Sequence, residues 1–83
     1  MLDFPTKLSS KISEAFPGAT FHVNDLTGEG NHLELILVSP RFQGLSRVAR
    51  QQLVMAEIKT LWSEGLHALT MKTLTPQEWE TNS

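Results

Sequence analysis

This sequence predicts an α+β domain with its helices packed on one face of a three-stranded sheet, and three observations predict it. Apolar residues recur at helical spacing ahead of Pro17 and again after Ser46. Two stretches alternate apolar and polar residues with a period of two, as half-buried strands do, and a third starts polar and runs into an almost wholly apolar segment. Thr75-Pro76-Gln77-Glu78 marks a helix start near the C-terminus. The chain has 83 residues, 40% hydrophobic and 19% charged, which suffices for one modest core and leaves no room for a second. No repeat, low-complexity tract or Pro, Gly or Ser-rich linker divides it, so residues 1–83 read as a single domain.

The first helix is expected between residues 5 and 16, where Leu8, Ile12, Ala15 and Phe16 form one apolar face and Lys7, Lys11 and Glu14 suit solvent. Pro17 cannot continue the hydrogen-bond ladder and Gly18 accepts the left-handed conformation that closes a helix. Over residues 20–26, Phe21 and Val23 alternate with His22 and Asn24, predicting a first strand. A second follows over residues 32–38, ending in the apolar run Leu35-Ile36-Leu37-Val38. The turn cluster Thr27-Gly28-Glu29-Gly30-Asn31 joins them as an antiparallel hairpin. Ser39-Pro40 closes the second strand, and Phe42-Gln43-Gly44 makes a bend whose glycine serves the backbone. Ser46 then caps a helix running to about residue 62, with Leu53, Val54, Ile58 and Leu61 as its buried stripe and Gly65 as its terminator. Residues 67–73 predict a third strand, with Leu69 and Met71 on one side and Ala68, Thr70 and Lys72 on the other. The terminal helix begins with a capping box, Thr75 to Glu78, with proline at its first position and Leu74 and Trp79 placed for a hydrophobic staple.

Composition excludes several function classes. There is no cysteine, so a disulfide framework, a thiolate metal site and a cysteine nucleophile are all ruled out. A formal net charge of -2 argues against binding nucleic acid by global electrostatics, since counterion release needs clustered cations. The longest apolar run is far short of the roughly 20 residues that span a bilayer, and the N-terminus has neither a basic start nor an apolar signal core, so a cytoplasmic protein is expected. The chain carries no phosphate-binding glycine loop, nucleophile elbow or zinc-protease motif. Asp25, Glu29, Glu34 and Glu57 have no spacing that brings two carboxylates together. A non-enzymatic protein is the expectation.

Two sets of residues retain chemical interest. His22, His32 and His67 are the side chains able to bind a borderline metal. His32 and His67 each begin a predicted strand, whereas His22 sits within one. Two imidazoles do not complete a tetrahedral site, so a metal held here needs further ligands from a second molecule. Arg47 and Arg50 are three apart on the second helix, with Arg41 before them and Gln51 and Gln52 after, a set suited either to a solvated helix face or to phosphate or partner contact.

The stretch from Val38 through Pro40-Arg41-Phe42-Gln43-Gly44-Leu45-Ser46-Arg47-Val48 resembles the conserved loop and helix start of the BolA family. His67-Ala68-Leu69 and Leu74-Thr75-Pro76-Gln77-Glu78-Trp79 resemble its C-terminal signature. With the hairpin the likeness spans nearly the whole chain, and Gly30-Asn31-His32 with Ser46 to Gln52 is similar to the YrbA (IbaG) branch of bacterial BolA-like proteins. The resemblance implies a class II KH-like fold, α-β-β-α-β-α, with a short helical turn before the second helix. It further implies association with a monothiol glutaredoxin and a shared 2Fe-2S cluster, held by glutaredoxin cysteine, glutathione and histidines of the BolA partner. Carried onto this chain, the invariant C-terminal histidine falls on His67 and the variable-loop ligand on His32. Many members have Arg-His-Arg where this chain has Arg50-Gln51-Gln52, so any role of that middle histidine is absent. The family is also described as transcriptional regulators, which would use a helix-turn-helix-like segment, residues 45–62, with Arg41, Arg47 and Arg50 on DNA. RNA-binding KH domains clamp the backbone with a Gly-x-x-Gly loop, and this sequence has none. No cluster is expected on the isolated chain, which is expected to be a monomer or weak homodimer.

Overall fold

The computed structural model describes residues 4–30, 32–66 and 68–82. Its elements run α1 (Phe4–Ala15), β1 (Thr20–Asp25), β2 (His32–Val38), a 3-10 turn (Pro40–Phe42), α2 (Arg47–Glu57), α3 (Lys59–Ser63), β3 (Ala68–Leu74) and α4 (Pro76–Asn82). The sheet order is β1-β2-β3. β1 and β2 are antiparallel, with Phe21 opposite Leu37 and Val23 opposite Leu35. β2 and β3 are parallel, with His32 opposite Ala68 and Leu35 opposite Met71. A parallel pair needs a crossover, and the helical segment between residues 47 and 63 supplies it.

The core forms where periods of 3.6 and 2 meet. Phe4, Leu8 and Ile12 on α1, with Phe16 just beyond it, pack against Leu33, Leu35 and Leu37 of β2 and against Val54, Ile58 and Leu61 of the crossover. Phe21, Val23, Leu69 and Met71 extend that layer on the flanking strands. Of the residues at the alternate positions, His22, Asn24, Thr70 and Lys72 are exposed and Glu34, Ile36 and Ala68 half-buried. The helices therefore cover one face of the sheet, as the alternation predicts.

The hairpin ends where Asp25 turns its carboxylate back on the chain, accepting hydrogen bonds from the backbone N–H groups of Gly28 at 2.9 Å and Thr27 at 3.3 Å. This side-chain mimic of a turn stops β1 one residue before the expected boundary. Leu26 still donates its N–H to the His32 carbonyl at 2.9 Å, so the ladder persists past the strand. After β2, the buried Ser39 accepts from the Arg41 N–H at 3.1 Å and starts the 3-10 turn. Gly44 follows at φ +78°, a left-handed conformation that glycine adopts without strain. Ser46 then caps α2, accepting from the Ala49 N–H at 3.1 Å.

The expected single helix to residue 62 is instead two. Ile58 leaves helical geometry at φ −108°, ψ 14°, and Leu61 donates to the Ile58 carbonyl at 2.9 Å in a tightened i to i+3 turn. Ile58 and Thr60 are β-branched and hold a continuous helix weakly, so packing decides the path. The bend leaves both Ile58 and Leu61 fully buried, and a Lys7–Glu64 ion pair ties the end of α3 to α1. Gly65, at φ +117°, stops the chain there as expected. The third strand spans Ala68–Leu74, whereas His67, placed at its start by sequence, lies outside the described residues, as does Asn31. Among the described residues no helix is long and apolar enough to cross a membrane.

Candidate functional site

Parallel pairing sets the surroundings of His32. His32 opens β2 and is registered with Ala68, the residue that follows His67 in the chain. His32 is half-buried, and its Nδ1 is shielded from solvent. A metal borne by a partner would have to meet the other ring nitrogen, Nε2. His22 is exposed near the middle of β1, opposite Ile36, four register positions from the His32 end. Among the described residues no group of three or more His, Cys, Asp or Glu converges to hold a metal ion.

The three arginines have separate environments. Arg41 extends back along α1: its Nη1 donates to the Ala15 carbonyl at 2.6 Å and its Cζ lies 4.8 Å from the centre of the Phe16 ring. The guanidinium thus covers the end of α1, where the last carbonyls lack helical partners and favour a cation. Arg47 is exposed in the first turn of α2. Arg50, one turn on, points inward with only 13% of its side chain exposed.

Arg50 is a latch between elements. Its Nε donates to the Leu45 carbonyl at 3.0 Å and its Nη1 to the Thr73 carbonyl at 3.1 Å. Its Nη1 and Nη2 grip the two carboxylate oxygens of Glu78 at 2.8 and 3.4 Å. Its Cζ lies 5.9 Å from the centre of the Phe42 ring. Glu78 completes the expected capping box, accepting from the Thr75 N–H at 2.9 Å while its own N–H donates to Thr75 Oγ1 at 3.2 Å. One guanidinium therefore joins the loop before α2, the edge of β3 and the start of α4, a fork geometry that lysine cannot supply.

The hydrogen bond from Arg50, then the Thr75 N–H, and the nearby positive charge hold the Glu78 carboxyl below its ordinary value, with partial desolvation opposing them. A lowered folded pKa gives stability that is full above the ordinary value of 4.5 and lost as pH falls through the folded value. The melting temperature should therefore fall with acidification below that value, and Glu78→Gln should lessen the dependence. Equal slopes of Tm against pH in the two proteins would contradict this assignment.

Sequence reasoning singled out Arg50 as a contact candidate and missed its role as a strut. The signal was present in two halves, an arginine one turn into a helix and a capping-box glutamate 28 residues later, but only the tertiary fold joins them. Lys72, on the strand side opposite Leu69 and Met71 as expected, borders the same groove as Arg47, a juxtaposition that spacing does not show.

The family model for BolA-like protein matches residues 10–78 of the chain. The acid stress protein IbaG of Escherichia coli K12 is 36% identical over 74 residues, covering 88% of this chain and 84% of that one. The DNA-binding transcriptional regulator BolA of Vibrio cholerae is 40% identical over 53 residues, covering 64% of this chain and 50% of that one. In three dimensions, the crystal structure of a bol-like protein from Babesia bovis superposes with a TM-score of 0.83 at 30% identity, covering 99% of this chain and 94% of that one. The order of elements, the capping box at Thr75 and the extent of these matches lead to one assignment: the chain belongs to the BolA family.

Proposed function

We propose that this protein is a non-enzymatic cytoplasmic partner of a monothiol glutaredoxin, with which it binds, transfers or senses a 2Fe-2S cluster in iron homeostasis and the stress response. His32 and His67 would be its ligands, with glutaredoxin cysteine and glutathione supplying the sulfur. The observation that carries the reading is the parallel register of β2 and β3, in which His32 stands opposite the residue that follows His67. The donor set fits: the chain offers imidazoles and no thiolate, so it can complete a shared centre and cannot build one alone. Bound there, the cluster would supply one-electron chemistry at a potential raised by imidazole ligation, as in Rieske centres. The printed name of the Escherichia coli relative, an acid stress protein, agrees with the stress-response side of the proposal.

The test is anaerobic reconstitution with a monothiol glutaredoxin, glutathione, iron and sulfide, read by visible absorption and circular dichroism. The expected spectrum differs from that of the glutaredoxin alone and is lost in His32→Ala/His67→Ala. The same spectrum from wild type and double variant would refute histidine ligation.

The name of the Vibrio cholerae relative and the exposed Arg47 favour a second reading, DNA binding through residues 45–62. Arg50 is already engaged by two carbonyls and Glu78. Arg41 is exposed but already bonded to the Ala15 carbonyl, which leaves Arg47 as the one arginine of the three without such an engagement. At most two phosphate contacts and a log–log salt slope no steeper than about −2 are therefore predicted. Tight DNA binding with a much steeper slope would favour this second reading with a larger cationic surface.

A further inference from the structure

β3 is an edge strand, and its outer side is chemically incomplete. The Ser39 N–H donates to the Leu74 carbonyl at 2.9 Å, which fixes the parity of the ladder. In a parallel pair, alternate residues direct both N–H and C=O toward the same neighbour. With Leu74 facing β2, so do Lys72, Thr70 and Ala68, while Thr73, Met71 and Leu69 present their backbone groups to the open side. Arg50 takes the Thr73 carbonyl. Below that point the N–H and C=O of Met71 and Leu69 line a strand edge with no further strand beside it among the described residues.

A groove of about 330 Å³ runs between this edge and α2, bordered by Arg47, Gln51, Met71, Lys72, Thr73 and Leu74. It has two cations and no carboxylate, although the chain as a whole is acidic. Arg47 and Lys72 are both exposed; Arg47 stands on α2, and Lys72 leaves β3 on the face opposite Leu69 and Met71, so the two charges flank the strand edge from either side.

We propose that this groove binds an extended acidic segment of a protein partner, which adds to β3 as a fourth strand. Main-chain hydrogen bonds to Met71 and Leu69 would supply register, and Arg47 and Lys72 would select acidic side chains. A second copy of the chain is disfavoured because pairing like edges brings the same cations together. Single-stranded nucleic acid is a poorer occupant. No aromatic side chain borders the groove for base stacking and the sequence has no Gly-x-x-Gly clamp.

The test uses a fluorescein-labelled hexapeptide, Val-Glu-Thr-Glu-Val-Glu, its lysine counterpart and an oligo-dT of similar length, each titrated into the full chain. The acidic peptide alone is expected to bind, slowing amide hydrogen exchange at Leu69 and Met71. Charge reversal with Arg47→Glu/Lys72→Glu, at two exposed positions, should weaken it by about tenfold or more. Absence of binding, binding without protection of those two amides, binding unchanged in the double variant, or preference for oligo-dT or the lysine peptide would each overturn the proposal.

Discussion

Replacing Arg50 by alanine is expected to lower the melting temperature by about 10–15 °C, the consequence of losing about 2–3 kcal/mol in a domain of this size. The loss comes from two carbonyl acceptors, Leu45 and Thr73, left without their charged donor, and from the aliphatic stem of a side chain that is 13% exposed. Arg50→Lys should recover only part of the loss, because one ammonium cannot reach acceptors on three elements in a fixed fork. Thermal unfolding followed by circular dichroism measures both. A shift below about 2 °C for the alanine variant would show that the latch contributes little.

Phe42→Ala should be costlier, about 3–5 kcal/mol. Phe42 is fully buried at the end of the 3-10 turn. Its ring centre lies 5.6 Å from that of Phe16, tilted by 51°, and Arg50 lies over it. Truncation leaves a void bounded by α1, the loop and the latch, which cannot close without moving all three. Domains of this size have stabilities of roughly 4–12 kcal/mol, so the loss is a large fraction of the whole. Urea denaturation should show a much lower midpoint, with Phe42→Leu intermediate. A loss under about 1 kcal/mol would mean that the core collapses around the gap.

Much of this fold was legible in the sequence because local rules and tertiary packing agree. The alternation of Phe21 and Val23 with His22 and Asn24 correctly separated the buried from the exposed face of β1. Thr75 to Glu78 announced its cap in four residues, and the structure shows both reciprocal hydrogen bonds. The break at Ile58 was hidden because Val54, Ile58 and Leu61 keep helical spacing on either side of it. Periodicity reports which residues are buried and is insensitive to a bend that keeps them buried. Arg50 was misleading for a related reason: its spacing from Arg47 suggested a shared surface, yet α2 turns one outward and the other toward α4. Residues on separate elements meet through topology, which is why neither the Arg50–Glu78 pair nor the Arg47–Lys72 groove could be read from spacing. The two histidines are a different case: the family resemblance, not spacing, singles them out, and the register pairs His32 with Ala68 while His67 lies outside the described residues.

Histidine ligation of a shared cluster is tested most directly by pulsed EPR. The chain would be labelled with 15N-histidine, reconstituted with unlabelled monothiol glutaredoxin and glutathione, and the 2Fe-2S cluster reduced by one electron. Strong hyperfine coupling to 15N, lost in His32→Ala/His67→Ala, is the predicted result. A reduced cluster with no 15N coupling from the labelled chain would contradict the account.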